Sequence, residues 1–290
     1  MTDWTLGIIG GSGLYALPGL EDVRTETVDT PWGAPSAPLT RGRLNGVELV
    51  FLPRHGPGHV VPPTEIPFRA NIAALKIAGC SDIVGISACG SLREGLAPGD
   101  FVVVDQYVDR THSRARSFFG EGCVAHVPMA DPVCGRLAGL LADAGEAEGL
   151  RIHRRGTYLV IEGPQFSTRA ESELYRSWGM DVIGMTNMPE ARLAREAELP
   201  YASIAMVTDY DCWHDGEASV DVEAVLAVMK GNTVKARRLL ERLTASLESR
   251  PRPPSPAGIE TVLDKAVITP PAARDPELVA HLKSIAGRVL

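Results

Sequence analysis

An α/β fold, a central mixed β-sheet flanked by helices, is predicted by three features of this 290-residue sequence. Short apolar runs rich in Val, Ile and aromatic residues recur along the chain, and each leads into polar or glycine-containing sequence; such runs mark buried strands. Segments with apolar positions at helical spacing lie between several of them. Strand and helix therefore alternate, as in layered α/β domains whose ligands sit at the carboxyl ends of the strands.

Taken in order, the first strand is LGIIGG (6–11), followed by VELVFLPRHG (47–56). The run PFRANIAALKIAG (67–79) has a helical apolar stripe and closes on glycine. Strands DIVGISACGS (82–91) and DFVVVDQYV (100–108) come next, then the amphipathic helix DPVCGRLAGLLADAGEAEGL (131–150). GTYLVIEGP (156–164), DVIGMTNM (181–188) and YASIAMVTDYD (201–211) read as further strands, with helices TRAESELYRSWG (168–179) and MPEARLAREAEL (188–199) between them. A long helical stretch, 220–247, ends at the proline-rich ESRPRPPSPAG (248–258), because proline cannot continue a helix. The expected organisation is one domain over 1–247, a linker over 248–258, and a helical extension over 259–290 that packs on the body or on a neighbouring subunit.

Composition narrows the function. Hydrophobic residues make up 44% and charged residues 22%, as in a globular domain. A net charge of -7 with no Lys/Arg block excludes a nucleic-acid protein, so an anionic ligand must be held by a few placed cations. No apolar run approaches the roughly 20 residues that span a bilayer, and the opening MTDWTLGIIGG lacks the basic start of a signal peptide. The expectation is a cytoplasmic protein without membrane association. Five dispersed cysteines without a C-x-x-C pair read as reduced, packed thiols.

Four places carry chemistry. In IIGGSGL, Gly10, Gly11 and Gly13 surround Ser12. A G-x-G-x-x-A match through Ala16 admits a dinucleotide site, but Pro18 and Gly19 interrupt its helix; a phosphate-holding loop and a plain turn remain open. FLPRHG sets Arg54 and His55 at a strand end, where arginine offers a bidentate fork and histidine a further donor for phosphate. Gly56, Pro57 and Gly58 exclude the helix that would align His55 and His59 on a metal. SACGSL offers the Ser87 hydroxyl, with Ala88 and Gly90 permitting close approach of a ligand. EGPQFST and GMTNMPE add Phe166, Ser167, Met185 and Thr186, an aromatic and a thioether beside hydroxyls, which suit a flat apolar ligand with polar edges. Lastly, MVTDYD places Asp209 and Asp211 two residues apart; a strand continued through Asp211 puts both on one face, where their titrations split. An acidic strand end, a D-x-D metal site and a proton-donating pair are the three readings there.

In this order, these motifs resemble those of the trimeric nucleoside phosphorylases, and most closely the 5'-methylthioadenosine phosphorylases. GIIGGSGL, RHG, ACGSLRE, PGDFVVVDQYVDRT, EGPQFSTRAES, GMTNMPEA and YASIAMVTDYDCW carry the resemblance over about the first 230 residues. It implies a nucleoside phosphorylase-like fold and a homotrimer with an intersubunit active site. No cofactor or metal is implied, inorganic phosphate being a co-substrate. Implied phosphate contacts are Ser12, Arg54, His55, Ser87, Ala88 and Thr186. Met185 falls against the ribose, Phe166, Ser167, Asp209, Tyr210 and Asp211 around the purine, and Val222 and Val225 near the 5'-substituent, while His126 is contributed by a neighbouring subunit. Asp209 is the implied catalytic acid and Asp211 its partner. Relatives acting on 6-oxopurines resemble this chain with Asn in place of Asp209 and Glu in place of Ser167, so adenine nucleosides are expected here. Gln165 departs from the family's Arg, and Ser12 and Ser87 stand for threonines. Phosphorolysis of methylthioinosine or of 5'-halogenated 5'-deoxyadenosine is the alternative, with a hydrolytic nucleosidase, an oxidoreductase and a non-catalytic nucleoside binder more remote.

Overall fold

The apolar runs become the strands of one branched sheet. In the computed structural model, which describes residues 4–11, 13–14, 17–214 and 222–290, β1 (Thr5–Gly10), β2 (Glu21–Glu26), β3 (Leu39–Leu44) and β4 (Val47–Pro53) precede α1 (Phe68–Ile77). The long β5 (Asp82–Ser91) is followed by β6 (Phe101–Val104), β7 (Gln106–Asp109), α2 (Gly135–Ala147), β8 (Ile152–His153) and β9 (Thr157–Val160). Then come α3 (Arg169–Ser177), β10 (Val182–Gly184), α4 (Asn187–Glu196), β11 (Tyr201–Asp209), α5 (Val222–Leu247) and α6 (Pro276–Ala286). Ser12 lies outside the described residues.

The sheet runs β2-β3-β4-β1-β5-β10-β9-β7 and branches at β5, which also pairs with β11; β6 and β8 continue from β11. β1, β4, β5 and the β5–β11 pair are parallel, whereas β10 meets β5 antiparallel, so the sheet is mixed. Alternation along the strands sends side chains to two cores. Ile9, Val50, Leu52, Ala205 and Val207 pack under α1, α4 and α6, while Leu6, Ile8, Leu49, Phe51, Ile204 and Met206 pack under α2 and α5. Helix starts follow local chemistry. Thr168 and Glu171 form a capping box on α3, and Asp275 caps α6 ahead of Pro276 in the first turn.

Three stretches differ from the sequence expectation. The run 100–108 is two strands, because at Asp105 the chain leaves β11 and joins β9. The run 181–188 stops as a strand at Gly184, and the helix takes over at Asn187. β2 and β3 were not expected, since EDVRTE has no apolar alternation to announce an exposed edge strand. Beyond the proline-rich stretch, Leu282, Ile285 and Ala286 of α6 enter the core beside α1. The segment before α6 is stitched to residues 122–126: His126 N donates to Ala266 O at 2.9 Å, Ile268 N to Val124 O at 3.0 Å and Asp275 N to Gly122 O at 2.8 Å.

Candidate active site

The carboxyl ends of β5, β10 and β11 meet at one place. β11 follows β5 residue for residue until Val207 faces Cys89 and Asp209 faces Gly90, so Thr208 is bulged out. A bulge re-aims the side chains after it. Thr208 Oγ1 lies 3.1 Å from Cys89 O and donates to Asp209 Oδ2 at 2.6 Å. The strand ends there. Asp211 has φ 53°, in the left-handed region, and its backbone N–H donates to Asp209 Oδ1 at 2.8 Å. The two carboxylates are thus brought together by a turn and a backbone hydrogen bond, which corrects the expected strand alternation. Gly90 makes room for them: a Cβ there would stand 2.9 Å from Asp209 Oδ1 and 3.4 Å from Asp211 Cβ.

Asp211 is 9% exposed. Burial, joined by the charge of Asp209 and opposed by the nearby Ser172 hydroxyl and the Cys212 backbone N–H, pushes its carboxyl up to about 6. Its Oδ2 is buried without a hydrogen-bond partner, and so are the Oγ atoms of Ser167 and Ser172. Cys212 Sγ approaches Ser167 O at 3.3 Å, which ties this side of the site to the loop that starts α3. Tyr210 stacks on His214 with centroids 4.6 Å apart, and Phe166 is 47% exposed, an aromatic left largely uncovered at the rim. Orphaned buried polar atoms are uncommon in folded proteins and cost about 1–3 kcal/mol each unless a partner arrives.

Across the cleft, Arg54 is 2% exposed, and its backbone N–H bonds Gly10 O at 2.9 Å. Its fork does not face outward as expected. Nε and Nη2 grip Glu190 at 2.8 and 3.0 Å, while Nη1 and Nη2 also reach Ile86 O at 3.1 Å and Ile9 O at 3.2 Å. Four of the five guanidinium hydrogens are thereby engaged, leaving one on Nη1. Tyr201 completes the network by donating to Glu190 Oε1 at 2.8 Å, and Gly85 admits it, since a Cβ would fall 2.3 Å from that hydroxyl. His55 also differs from expectation. Val61 O can only accept, so the 2.8 Å contact fixes the His55 proton on Nδ1 and leaves Nε2 an acceptor. Burial, with Arg54, His59 and Arg114 adding to it, lowers the ring to about 4, so it is neutral near pH 7.

Ser87 and Thr186 converge through a residue the sequence reading did not single out. Asn187, fully buried, accepts from Ser87 Oγ at 3.0 Å and from Thr186 Oγ1 at 3.3 Å. Ala88 follows Ser87 on β5, half-buried. Arg114 was also missed. Its side chain is fully covered, and all five donors are used: Glu162 Oε1 at 3.0 Å, Met185 O and Met188 O at 2.7 Å each, Glu162 O at 2.8 Å and Ile161 O at 3.4 Å. It clamps the loop leading to Phe166 and Ser167 onto the loop of Met185 and Thr186. Such long-range pairings leave no local signal in a sequence.

His126 is exposed on the stitched 122–126 segment, and no hydrogen bond or ring contact among the described residues links its side chain to the other candidates. Val222 is exposed and Val225 half-buried on the first turn of α5. Further along α5, Arg237 Nε bonds Gly13 O at 2.7 Å and Asn232 donates to Val207 O at 2.9 Å, so one helix braces both the glycine loop and β11.

A family model for the phosphorylase superfamily matches residues 5–245. The S-methyl-5'-thioadenosine phosphorylase of Cereibacter sphaeroides is 58% identical over 285 residues, covering 98% of both chains. That of Bradyrhizobium diazoefficiens is 57% identical over 290 residues, 100% of this chain and 99% of the relative. Among solved structures, a methylthioadenosine phosphorylase from an antarctic soil metagenomic library superposes with a TM-score of 0.92 at 45% identity, over 98% of this chain and 99% of that one. The methylthioadenosine phosphorylase from Schistosoma mansoni in complex with adenine gives 0.83 at 37% identity, over 94% and 99%. The chain belongs to the phosphorylase superfamily, in its S-methyl-5'-thioadenosine phosphorylase family, and is an enzyme of the pentosyltransferase type.

Proposed function

We propose that this enzyme cleaves the N-glycosidic bond of 5'-methylthioadenosine with phosphate, yielding adenine and 5-methylthioribose 1-phosphate. The observation that carries the reading is the pair Asp209 and Asp211 at the bulged end of β11, beside the buried unpartnered atoms Asp211 Oδ2, Ser167 Oγ and Ser172 Oγ. Buried hydrogen-bonding groups of this kind suit the polar edge of a purine.

A phosphate oxygen attacks C1' of the ribosyl group, the C1'–N9 bond breaks, and its electron pair passes into the purine. Protonation at N7 removes the resulting charge, a general-acid contribution of about 10²- to 10⁴-fold. Asp209 delivers that proton. Its two oxygens already accept from Asp211 N and Thr208 Oγ1, whereas Asp211 has the free buried Oδ2 and the raised pKa, about 6. Asp211 thus holds a proton more readily than an ordinary carboxyl, and Asp209 is the donor to N7 beside it; direct donation by Asp211 is the second reading that this buried oxygen favours. As carboxylates, the pair also accepts from the 6-amino group of adenine, a donor that a 6-oxopurine lacks.

Phosphate meets hydrogen bonds rather than bare charge. Arg54 is neutralised by Glu190 and offers its single remaining hydrogen, the Ser87 and Thr186 hydroxyls turn their protons from Asn187 Oδ1 to the anion, and neutral His55 presents Nε2, which accepts from the P–OH of hydrogen phosphate. Ala88 completes this side of the site, and Ser12, outside the described residues, is kept as a phosphate contact on the family resemblance alone. Met185 lies under the ribose, Phe166 and Tyr210 cover the base, and Val222 and Val225 line the 5'-group. Residues 1–247 supply these groups, and the 259–290 extension braces the segment of His126, which enters the site of a neighbouring subunit in a cytoplasmic homotrimer. Incubating the chain with methylthioadenosine tests this reading: adenine must appear only with phosphate present. Release at the same rate in its absence overturns phosphorolysis, and equal turnover of inosine overturns the assignment of the base.

A further inference from the structure

A second cavity, of about 420 Å³, lies at the opposite end of the sheet, where the last turn of α1, the residues preceding β5 and β11, and the C-terminal extension meet. That volume lies in the range of small-ligand sites. Its carboxylates are already held by arginines. Glu198 is bonded by Arg288 Nε at 3.0 Å and by Leu263 N at 3.0 Å, and Glu260 by Arg252 at 2.8 Å and by Ser255 N at 2.9 Å. Two ammonium groups are left over. Among the described residues, half-buried Lys76 of α1 and exposed Lys283 of α6 make no hydrogen bond or salt bridge with their side chains, although both line the cavity.

Lys76 is the informative one. It is half-buried, and burial, with the charge of Arg288 adding to it, lowers its pKa; Glu198 and Glu260 oppose that shift from a distance but point their oxygens at other donors. A partly desolvated ammonium without a partner is a cost the fold bears unless an anion occupies the space in front of it. Lysine is a compact point charge with three donors, suited to a phosphate group rather than to planar recognition.

We propose that this cavity binds a small phosphate-bearing anion between Lys76 and Lys283, at a site separate from the one that holds the co-substrate phosphate. The anion joins α1 to α6 and so fastens the C-terminal extension to the body.

The probe is glycerol 3-phosphate, with inorganic phosphate in a parallel series, titrated into the full chain while the thermal midpoint is followed. Wild type is expected to show a saturable rise with glycerol 3-phosphate, and Lys76→Met and Lys283→Gln are expected to lose it while retaining phosphate-dependent turnover. A rise with inorganic phosphate alone in wild type, unchanged in Lys76→Met, places phosphate only at the active site and overturns the proposal. Without any anion, Lys76→Met should melt higher than wild type, because an unpartnered charge has been removed; a lower midpoint refutes the premise. An equal response to glycerol 3-phosphate in Lys76→Met, or none in wild type, refutes the site.

Discussion

The buried pair Arg54–Glu190 allows a stability prediction with a size attached. Both side chains are 2% exposed and joined by two hydrogen bonds, at 2.8 and 3.0 Å, and Glu190 also accepts from Tyr201 at 2.8 Å. Glu190→Gln keeps the shape but removes the charge and turns one oxygen into a donor facing donors. Leaving one member of a buried pair uncompensated costs about 3–5 kcal/mol. For a chain of this size each kcal/mol lowers the melting temperature by about 2–4 °C, so the expected drop is about 6–20 °C. Phosphate should recover part of it, because a dianion next to Arg54 replaces the lost negative charge. Thermal unfolding followed by circular dichroism, near neutral pH and over a phosphate series, reads both effects. A Glu190→Gln protein within about 1 kcal/mol of wild type without phosphate refutes the pairing argument. Equal phosphate responses in the two proteins refute the position of Arg54 beside the anion.

Three further outcomes follow from the same geometry. Gly90→Ala pushes a methyl to within 2.9 Å of Asp209 Oδ1, so turnover should fall by about a hundredfold with the fold retained, as judged by near-ultraviolet circular dichroism. Arg114→Lys keeps the charge but loses the five-donor clamp on the Ile161–Glu162 and Met185–Met188 carbonyls. Its KM for the nucleoside should rise about tenfold while that for phosphate moves little, measured with each substrate varied in turn. Asp211 sets a pH signature. Its carboxyl is raised to about 6 in the folded state, above the unfolded value of about 3.9. The native state therefore binds more protons between these values, and this contribution, at most about 3 kcal/mol, is complete below the lower value and lost as pH rises through the upper one. Denaturant titrations should show the slope diminished in Asp211→Asn; an unchanged slope places the proton elsewhere.

Much of the layering is legible in the sequence because it rests on periodicity. Alternation in LGIIG and VELVFLP sorts Ile9, Val50 and Leu52 from Leu6, Ile8, Leu49 and Phe51, and the two cores receive them in that division. Strands and helices that bury an apolar face announce themselves, and with them the junctions where Arg54, Ser87, Thr186 and Asp209 stand. What escapes is whatever depends on partners far along the chain. Asp105 reads as one more residue of a continuous strand, yet it is where the chain changes neighbours. The bulge at Thr208 breaks the two-residue period just where the carboxylates begin, so Asp209 and Asp211 come together through a turn and not through strand alternation. Arg54 advertises a phosphate fork, but Glu190, 136 residues away, occupies it. Asn187 and Arg114 are ordinary polar residues until folding surrounds them with hydroxyls and carbonyls.

Proton delivery to N7 is the center of the account, and a substrate that needs no proton isolates it. Methylthioadenosine already methylated at N7 carries a cationic base that departs neutral. Single-turnover cleavage of this compound and of methylthioadenosine should be compared in wild type and Asp209→Asn, with saturating phosphate. The account predicts a loss of about 10²- to 10⁴-fold for methylthioadenosine in Asp209→Asn and near wild-type cleavage of the methylated substrate. Equal losses on both substrates would contradict it, because Asp209 would then be serving binding or structure rather than handing over a proton.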